Sequence, residues 1–71
     1  MTTFDFNRNL IEMRSNMHRF AMSLTYDHDA ALDLVQDTYL KALTYKDKFV
    51  DYTNLKAWVF TIMKNTFINN Y

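Results

Sequence analysis

The fold is decided by residues 33–43, which read Asp33-Leu34-Val35-Gln36-Asp37-Thr38-Tyr39-Leu40-Lys41-Ala42-Leu43. Apolar and small residues recur here at the three- and four-residue steps of a helix, so one side of that helix can enter a core. The predicted core side comprises Ala31, Leu34, Val35, Thr38 and Ala42. The predicted outer side comprises Asp33, Gln36, Asp37, Lys41 and Thr44.

The outer side of this helix has two interpretations. A Gln between two carboxylates at this spacing favours a surface that docks a partner carrying Arg, because carboxylates accept charge-assisted bonds from guanidinium groups. The alternative is an ordinary solvated face, on which Asp37 pairs with Lys41 one turn later for a few tenths of a kcal/mol. The spacing of the charges leaves both interpretations open.

Two more helices are predicted on either side of this one. Apolar periodicity predicts a first helix from about Phe6 to Thr25, with no separate short helix ahead of it. The central helix runs from about His28 to Tyr45, with Asp27 as its N-cap. A polar loop follows over residues 46–53, and a third helix begins at Asn54 with Thr53 as its cap. The prediction is an all-α, compact bundle of three main helices that forms a single domain over residues 1–71.

Composition narrows the class of protein. The 71 residues include no Gly, no Pro and no Cys. The lack of Gly and Pro argues against tight β connections, and the lack of Cys excludes disulfides and thiolate metal sites and suits a reducing cytosol. We find no signal-peptide pattern and no apolar run of the roughly 18 residues that mark a membrane helix. The expectation is a cytoplasmic protein without membrane contact.

An enzyme is poorly supported by the residue types present. Glu12 is the single Glu, and the chain has no Gly-rich phosphate loop and no paired-His motif. His18 and His28 do not have the spacing of a metal triad. We therefore expect no catalytic residues, no metal site and no cofactor.

The zero net charge hides a gradient along the chain. Residues 1–26 carry +1, residues 27–51 carry −3 with six Asp against three Lys, and residues 54–71 carry +2 from Lys56 and Lys64 without any acid. The middle of the chain therefore suits a basic partner, and the last helix suits phosphates. The alternative explanation of this charge gradient is chance variation in the composition of a short chain.

Three segments of the chain resemble region 2 of extracytoplasmic-function sigma factors, which are bacterial transcription-initiation subunits. The first is Phe20-Ala21-Met22-Ser23-Leu24-Thr25, and the second is the block at residues 33–43. The third is the stretch from Asn54 to Asn69, preceded by Phe49. These segments follow the family's order and spacing over nearly the whole chain.

The resemblance implies two partners. In the family, the acidic side of the central helix binds the β′ clamp helices of the RNA polymerase core. The polymerase-binding residues that the resemblance implies here are Asp33, Gln36, Asp37 and Lys41. The second partner is promoter DNA, and an anti-sigma factor is a further partner that the family suggests.

On the DNA side, the family captures a base flipped out of the non-template strand of the minus-ten element, in a pocket at the loop before the last helix. The DNA-binding residues that the resemblance implies are Phe49, Val50, Asp51, Asn54, Lys56, Trp58, Thr61, Lys64, Asn65 and Asn69. Phe49 and Trp58 each have a structural alternative as core residues, and Asn65 and Asn69 have one as plain surface residues. Some family members carry Arg where this chain has Thr61.

Two expectations concern the chain as a whole. The third helix is still periodic at Tyr71, so we expect the natural chain to continue into a linker and region 4. The competing function is a small helical protein–protein adaptor that does not bind nucleic acid. The acid-free last helix favours the DNA-binding interpretation over the adaptor.

Overall fold

The computed structural model describes residues 3–49 and 54–70, with side chains for residues 5–49 and 54–69. In these residues four α-helices follow one another: α1 (Thr3–Glu12), α2 (Arg14–Thr25), α3 (His28–Thr44) and α4 (Leu55–Asn70). A 3₁₀ turn at Lys46–Lys48 follows α3. Within these two ranges there is no strand, and the predicted all-α class is confirmed.

The first predicted helix differs from the structure, because helical structure is interrupted at Met13. The Met13 N–H is shared between Asn9 O and Leu10 O, each at 3.2 Å, so the last turn of α1 tightens before α2 begins. A short helix therefore precedes the longer one, where none was expected. No Gly or Pro marks this position. The break is made by backbone hydrogen bonds, so no characteristic residue type marks it in the sequence.

The connection between α2 and α3 is short because both helix ends are capped locally. Tyr26 closes α2 in the left-handed region at φ 55°, where its N–H donates to Met22 O. Asp27 begins α3, and its Oδ2 accepts a bond from the Ala30 N–H at 2.8 Å. The predicted N-cap is thus confirmed, and α3 ends at Thr44, one residue before the expected Tyr45.

The core gathers around α3, which packs against both α2 and α4. All five residues predicted for its inner side are buried. The apolar core consists of Phe6, Leu10, Met17, Ala21, Ala31, Leu34, Val35, Ala42, Val59 and Met63. Two buried threonines, Thr38 and Thr66, donate their hydroxyl protons to Leu34 O and Ile62 O in their own helices. Each therefore avoids the cost of an unpartnered buried hydroxyl.

The start of α4 is fixed by Asn54, whose Oδ1 accepts a bond from the Ala57 N–H at 3.3 Å. Asn54 therefore acts as the N-cap of α4. The expected cap, Thr53, lies outside the described residues, as does Tyr71. None of the described helices combines the length and apolar character that crossing a membrane requires.

Candidate functional site

The outer side of α3 carries Asp33, Gln36 and Asp37, which we call the acidic ridge. Asp33 and Gln36 are exposed and Asp37 is half-buried. Asp27 at the N-cap and the buried inner side of α3 hold the helix so that these three side chains face outward. Within the described part of the chain, none of the three makes a hydrogen bond or an ion pair. The ridge is therefore available to a partner without first breaking an internal contact.

Lys41 is placed differently from the acidic ridge. Its Nζ donates a hydrogen bond to Thr66 Oγ1 of α4 at 3.1 Å. The alternative interpretation of the outer side required an ion pair between Asp37 and Lys41, and the described residues do not form one. Lys41 instead joins α3 to α4, and its contact with polymerase stays a prediction.

A groove that the sequence did not reveal runs beside the acidic ridge, between the α1–α2 segment and α3. Its volume is about 550 Å³, and it is lined by Ile11, Arg14, Ser15, His18, Leu32, Val35, Gln36 and Tyr39. Ile11 is 64% exposed and Leu32 is 43% exposed. One feature of the sequence could have indicated this groove: Ile11 and Leu32 are apolar residues at outward positions of their helices. We call this surface the ridge groove.

Tyr39 forms part of the inner wall of the ridge groove. Its hydroxyl donates to Leu10 O at 3.2 Å and so ties α3 to α1. Burial raises the pKa of Tyr39 above 10.0, and the nearby Arg14 charge opposes part of that rise. The phenol is therefore neutral and acts as a donor at ordinary pH.

Three aromatic rings meet where α1, the residue after the 3₁₀ turn and α4 come together. Phe49 lies 5.3 Å from Trp58 and 5.9 Å from Phe6, measured between ring centroids. Phe6 and Trp58 meet edge to face at 6.0 Å. Phe6 is buried, whereas Phe49 and Trp58 are half-buried. Both predicted DNA-binding rings therefore pack in the fold, as their structural alternative held, and both keep some exposed surface.

Phe6 is the member of this aromatic cluster that the sequence did not predict. It lies at the start of the predicted first helix, and no spacing along the chain links it to residues more than forty positions away. Val50 and Asp51, predicted to complete the pocket, lie outside the described residues.

The remaining predicted DNA-binding residues are exposed on α4 or at its start: Asn54, Lys56, Thr61, Lys64, Asn65 and Asn69. The Thr61 hydroxyl donates to Ala57 O within the helix at 2.8 Å. Asn65 follows Trp58 by seven residues, so both lie on one side of α4, roughly 10 Å apart along the axis. The structure thus brings Phe49 and Trp58 into contact and places Asn65 two turns further along.

Across residues 3–49 and 54–70, no group of three or more His, Cys, Asp or Glu side chains could hold an ion. His18 and His28 do approach each other, with ring centroids 5.3 Å apart and edge to face. Two ligands alone fall short of the four that a structural zinc site uses.

Comparison with known proteins adds a family to this geometry. Residues 10–71 match the family model described as Sigma-70 region 2. The chain is 46% identical over 56 residues to the ECF RNA polymerase sigma factor EcfG of Rhodopseudomonas palustris, covering 79% of this chain and 31% of that protein. It is 33% identical over 55 residues to the ECF RNA polymerase sigma factor SigM of Bacillus subtilis, covering 78% of this chain and 33% of that protein.

A third relative is the RNA polymerase sigma factor YlaC of Bacillus subtilis, with 40% identity over 47 residues, or 66% of this chain and 27% of that protein. The chain thus spans about a third of the length of the curated relatives it matches. No solved structure matches it significantly. Two of these relatives are named as ECF sigma factors, in agreement with the resemblance noted from the sequence. With a family model that covers all but the first nine residues, the chain belongs to the Sigma-70 region 2 family.

Proposed function

We propose that this chain is the region 2 domain of a transcription-initiation sigma factor that binds the RNA polymerase core and promoter DNA. The observation that carries the proposal is the acidic ridge, whose outward side chains lack partners in the described structure although the opposite side of α3 is fully packed. Three relatives, each named as an RNA polymerase sigma factor, support the same proposal. The domain has no chemistry of its own and works by binding.

The polymerase half of the proposal assigns the acidic ridge to the β′ clamp helices. Arg side chains of that partner reach Asp33 and Asp37 as bidentate pairs, which are stronger than neutral hydrogen bonds and fix orientation. Gln36 both donates and accepts, so it sets the register between the two carboxylates. Apolar side chains of the partner enter the ridge groove beside Gln36. The ridge thus supplies specificity, and the groove supplies buried apolar area.

The DNA half of the proposal assigns the aromatic cluster to a base flipped from the non-template strand of the minus-ten element. Extruding a base costs a few kcal/mol. Stacking on aromatic surface returns roughly 1–3 kcal/mol per base, and the exposed parts of Phe49 and Trp58 offer such a surface. Asn65 reads an edge of a neighbouring base, while Lys56 and Lys64 contact phosphates. Val50, Asp51, Asn54, Thr61 and Asn69 complete this predicted interface.

Three further features belong to the same proposal. Residues 1–71 act as one domain, and in the natural protein a linker and region 4 follow it. An anti-sigma factor is a natural competitor for the acidic ridge, because it occludes the surface that polymerase needs. Lys41 lies one helical turn after Asp37, and we assign it a contact with polymerase at that end of the acidic ridge.

The polymerase half is tested by titrating the chain with a purified coiled-coil fragment of β′ that contains the clamp helices. Asp33→Asn and Asp37→Asn keep the size of each side chain and remove its charge, so each should weaken binding at least tenfold, the loss expected for a charge-assisted pair. Asp47→Asn, an exposed carboxylate in the 3₁₀ turn, is the matched control and should bind as the wild type does. Absence of any wild-type binding would remove the polymerase half of the proposal.

The ridge groove favours one alternative function, a helical adaptor that binds another protein and no nucleic acid. Its apolar walls at Ile11 and Leu32 suit an amphipathic helix of any partner. The two functions separate on single-stranded DNA carrying a minus-ten element, which the adaptor does not bind and the sigma domain does.

A further inference from the structure

The ridge groove continues into a second hollow between α1 and α3. This hollow has a volume of about 240 Å³ and is lined by Asn7, Leu10, Ile11, Tyr39 and Leu43. Ile11 and Tyr39 line the ridge groove as well, so the two hollows form one channel along α3. We call the two hollows together the extended groove.

Exposed apolar side chains border the extended groove on both sides. Ile11 is 64% exposed on the α1 side, and Leu40 is 65% exposed on the α3 side. Leu40 follows Gln36 by one turn and therefore continues the outer edge of the groove along α3. Apolar side chains that border one groove, rather than lie scattered over the surface, mark an interaction site.

The two sides of the extended groove carry opposite charges. Arg14 is exposed and lines the groove from α2, whereas Asp33 and Asp37 lie on the α3 side in the acidic ridge. Arg8 and Glu12, one turn apart at exposed positions of α1, offset each other, so Arg14 gives the first side its sign. Within the described residues Arg14 forms no ion pair. Its charge is therefore available to an external carboxylate.

A groove with opposite charges on its two sides is complementary to a copy of itself. A two-fold axis parallel to the groove lays the cationic side of each copy on the anionic side of the other. Arg14 and Gln36 line the same stretch of the groove, and Asp37 is the residue after Gln36. In this arrangement Arg14 of each copy lies opposite Asp37 of the other, which gives two equivalent ion pairs.

The same axis also pairs the exposed apolar side chains. Ile11 and Tyr39 line both hollows, and Leu40 is the residue after Tyr39. Ile11 of each copy therefore lies opposite Leu40 of the other, so that each exposed side chain gains a partner. The net charge of zero adds no long-range repulsion between two copies.

We infer that the extended groove binds a second copy of this chain, in a two-fold dimer that pairs Arg14 of each copy with Asp37 of the other. A second copy supplies both charges and both apolar side chains in matching places, which an amphipathic helix with one charged edge does not. The dimer itself goes beyond the proposed function, and its consequence rests on that function. Because the dimer covers the acidic ridge, it excludes polymerase from the same copy.

Sedimentation equilibrium of the chain over a range of concentrations tests the dimer. The extended groove gives an interface at the small end of the range for specific complexes, where transient contacts lie. We therefore expect a monomer–dimer equilibrium with a dissociation constant of roughly 0.1 mM.

Charge reversal tests the placement of the two copies. Arg14→Asp and Asp37→Arg should each weaken the dimer at least tenfold, because like charges then meet at both equivalent contacts. An equimolar mixture of the two variants should associate again, since each variant carries the charge that the other needs. The matched controls are Lys64→Asp and Asp47→Arg, which change the net charge equally at exposed positions outside the groove. Both controls should keep the wild-type dissociation constant.

Truncation of the apolar side chains gives a second measurement that leaves every charge in place. Ile11→Ala and Leu40→Ala should each weaken the dimer about tenfold, because each truncation removes apolar contact at two equivalent places. The control is Ile68→Ala, at a residue of α4 that is 63% exposed. All these residues are exposed, so the variants should unfold thermally as the wild type does.

Three results would overturn the dimer. The first is a chain that stays monomeric up to about 1 mM, ten times the expected dissociation constant. The second is an equal loss of association in the groove variants and their controls, since general charge or stickiness then accounts for it. The third is a mass that grows beyond the dimer, because a contact without a two-fold axis produces open chains.

Addition of the β′ clamp-helix fragment separates the dimer from the proposed function. A fragment that binds and lowers the fraction of dimer supports both. A dimer that persists intact while the fragment occupies the acidic ridge overturns the inference, since one surface cannot hold both partners. A fragment that binds neither monomer nor dimer removes the polymerase half of the proposed function and leaves the dimer standing.

Discussion

Lys41 Nζ donates a hydrogen bond to Thr66 Oγ1 at 3.1 Å, and this contact joins α3 to α4. The Thr66 hydroxyl proton goes to Ile62 O, so its oxygen is free to accept from the ammonium group. One helix carries the acidic ridge and the other carries Asn65. The contact therefore helps to fix the position of the proposed polymerase surface relative to the proposed DNA surface.

Removing either side of this contact should destabilise the domain. We expect Thr66→Val and Lys41→Met to share a coupling energy of about 1 kcal/mol in a double-mutant cycle, since a hydrogen bond of this kind contributes that much. A change of 1 kcal/mol shifts Tm by roughly 4–8 °C in a domain of this size. Thermal unfolding of the two single variants and the double variant measures it. Strictly additive losses would mean that the contact contributes nothing.

The backbone at Tyr26 offers a stabilising substitution. Its φ of 55° places a non-glycine residue in the left-handed region, and its side chain is 87% exposed, so little packing is lost on truncation. Tyr26→Gly should raise stability by about 1 kcal/mol, because glycine adopts this conformation without the Cβ clash.

Tyr45, at the end of α3, is the matched control for this substitution because its φ is −103°. Glycine gains nothing at that angle and loses chain entropy on folding, so Tyr45→Gly should lower the stability. Urea unfolding of both variants decides the matter, and a loss in both would contradict the argument from backbone conformation.

Stability should decline at alkaline pH through Tyr39. Burial raises the pKa of Tyr39 above its unfolded value of 10.0, so the folded state holds the phenol proton more tightly than the unfolded chain does. Its stabilising contribution is fully present below pH 10 and is lost as pH rises through the folded pKa. Tyr39→Phe should flatten the pH dependence of unfolding above about pH 10. The control is Tyr26→Phe, at an exposed ring, which should show the same pH dependence of unfolding as the wild type.

Helical periodicity predicted the inner side of α3 correctly at every position, because burial of one side of a helix follows directly from a 3.6-residue repeat. The N-cap at Asp27 was equally predictable from the sequence, because its side chain accepts a hydrogen bond from a backbone N–H only three residues away. Both features depend on near neighbours in the chain.

The features that the sequence concealed depend on distant residues. The Lys41–Thr66 bond spans 25 positions, and Phe6 meets Phe49 and Trp58 only after the bundle has closed. The break at Met13 involves no turn-forming residue. Of the candidate site, the exposure of Asp33, Gln36 and Asn65 was predictable, whereas the ridge groove arises from the packing of separate helices.

Variants of Phe49 and Asn65 should distinguish residues of the proposed DNA surface that stabilise the fold from residues that recognise bases. Phe49 packs against two rings, so Phe49→Ala should destabilise the domain by about 2 kcal/mol, less than the 3–5 kcal/mol lost when a fully buried Phe is truncated. Asn65 is exposed, and Asn65→Ala should leave the stability within about 0.5 kcal/mol of the wild type. Circular dichroism melts of the two variants check this difference.

Because Asn65→Ala should remain folded, its effect on DNA binding can be measured without a correction for unfolding. If Asn65 bonds a base edge, Asn65→Ala should reduce the preference for a minus-ten strand over a scrambled strand by roughly tenfold, the effect of about 1–2 kcal/mol. Ile68→Ala, at a residue of α4 that is 63% exposed, is the control and should keep the preference. Fluorescence anisotropy with both strands, below the Tm of every variant, gives the ratio. An unchanged ratio for Asn65→Ala would assign base selection to the aromatic cluster and its loop, because those are the remaining groups of the proposed pocket.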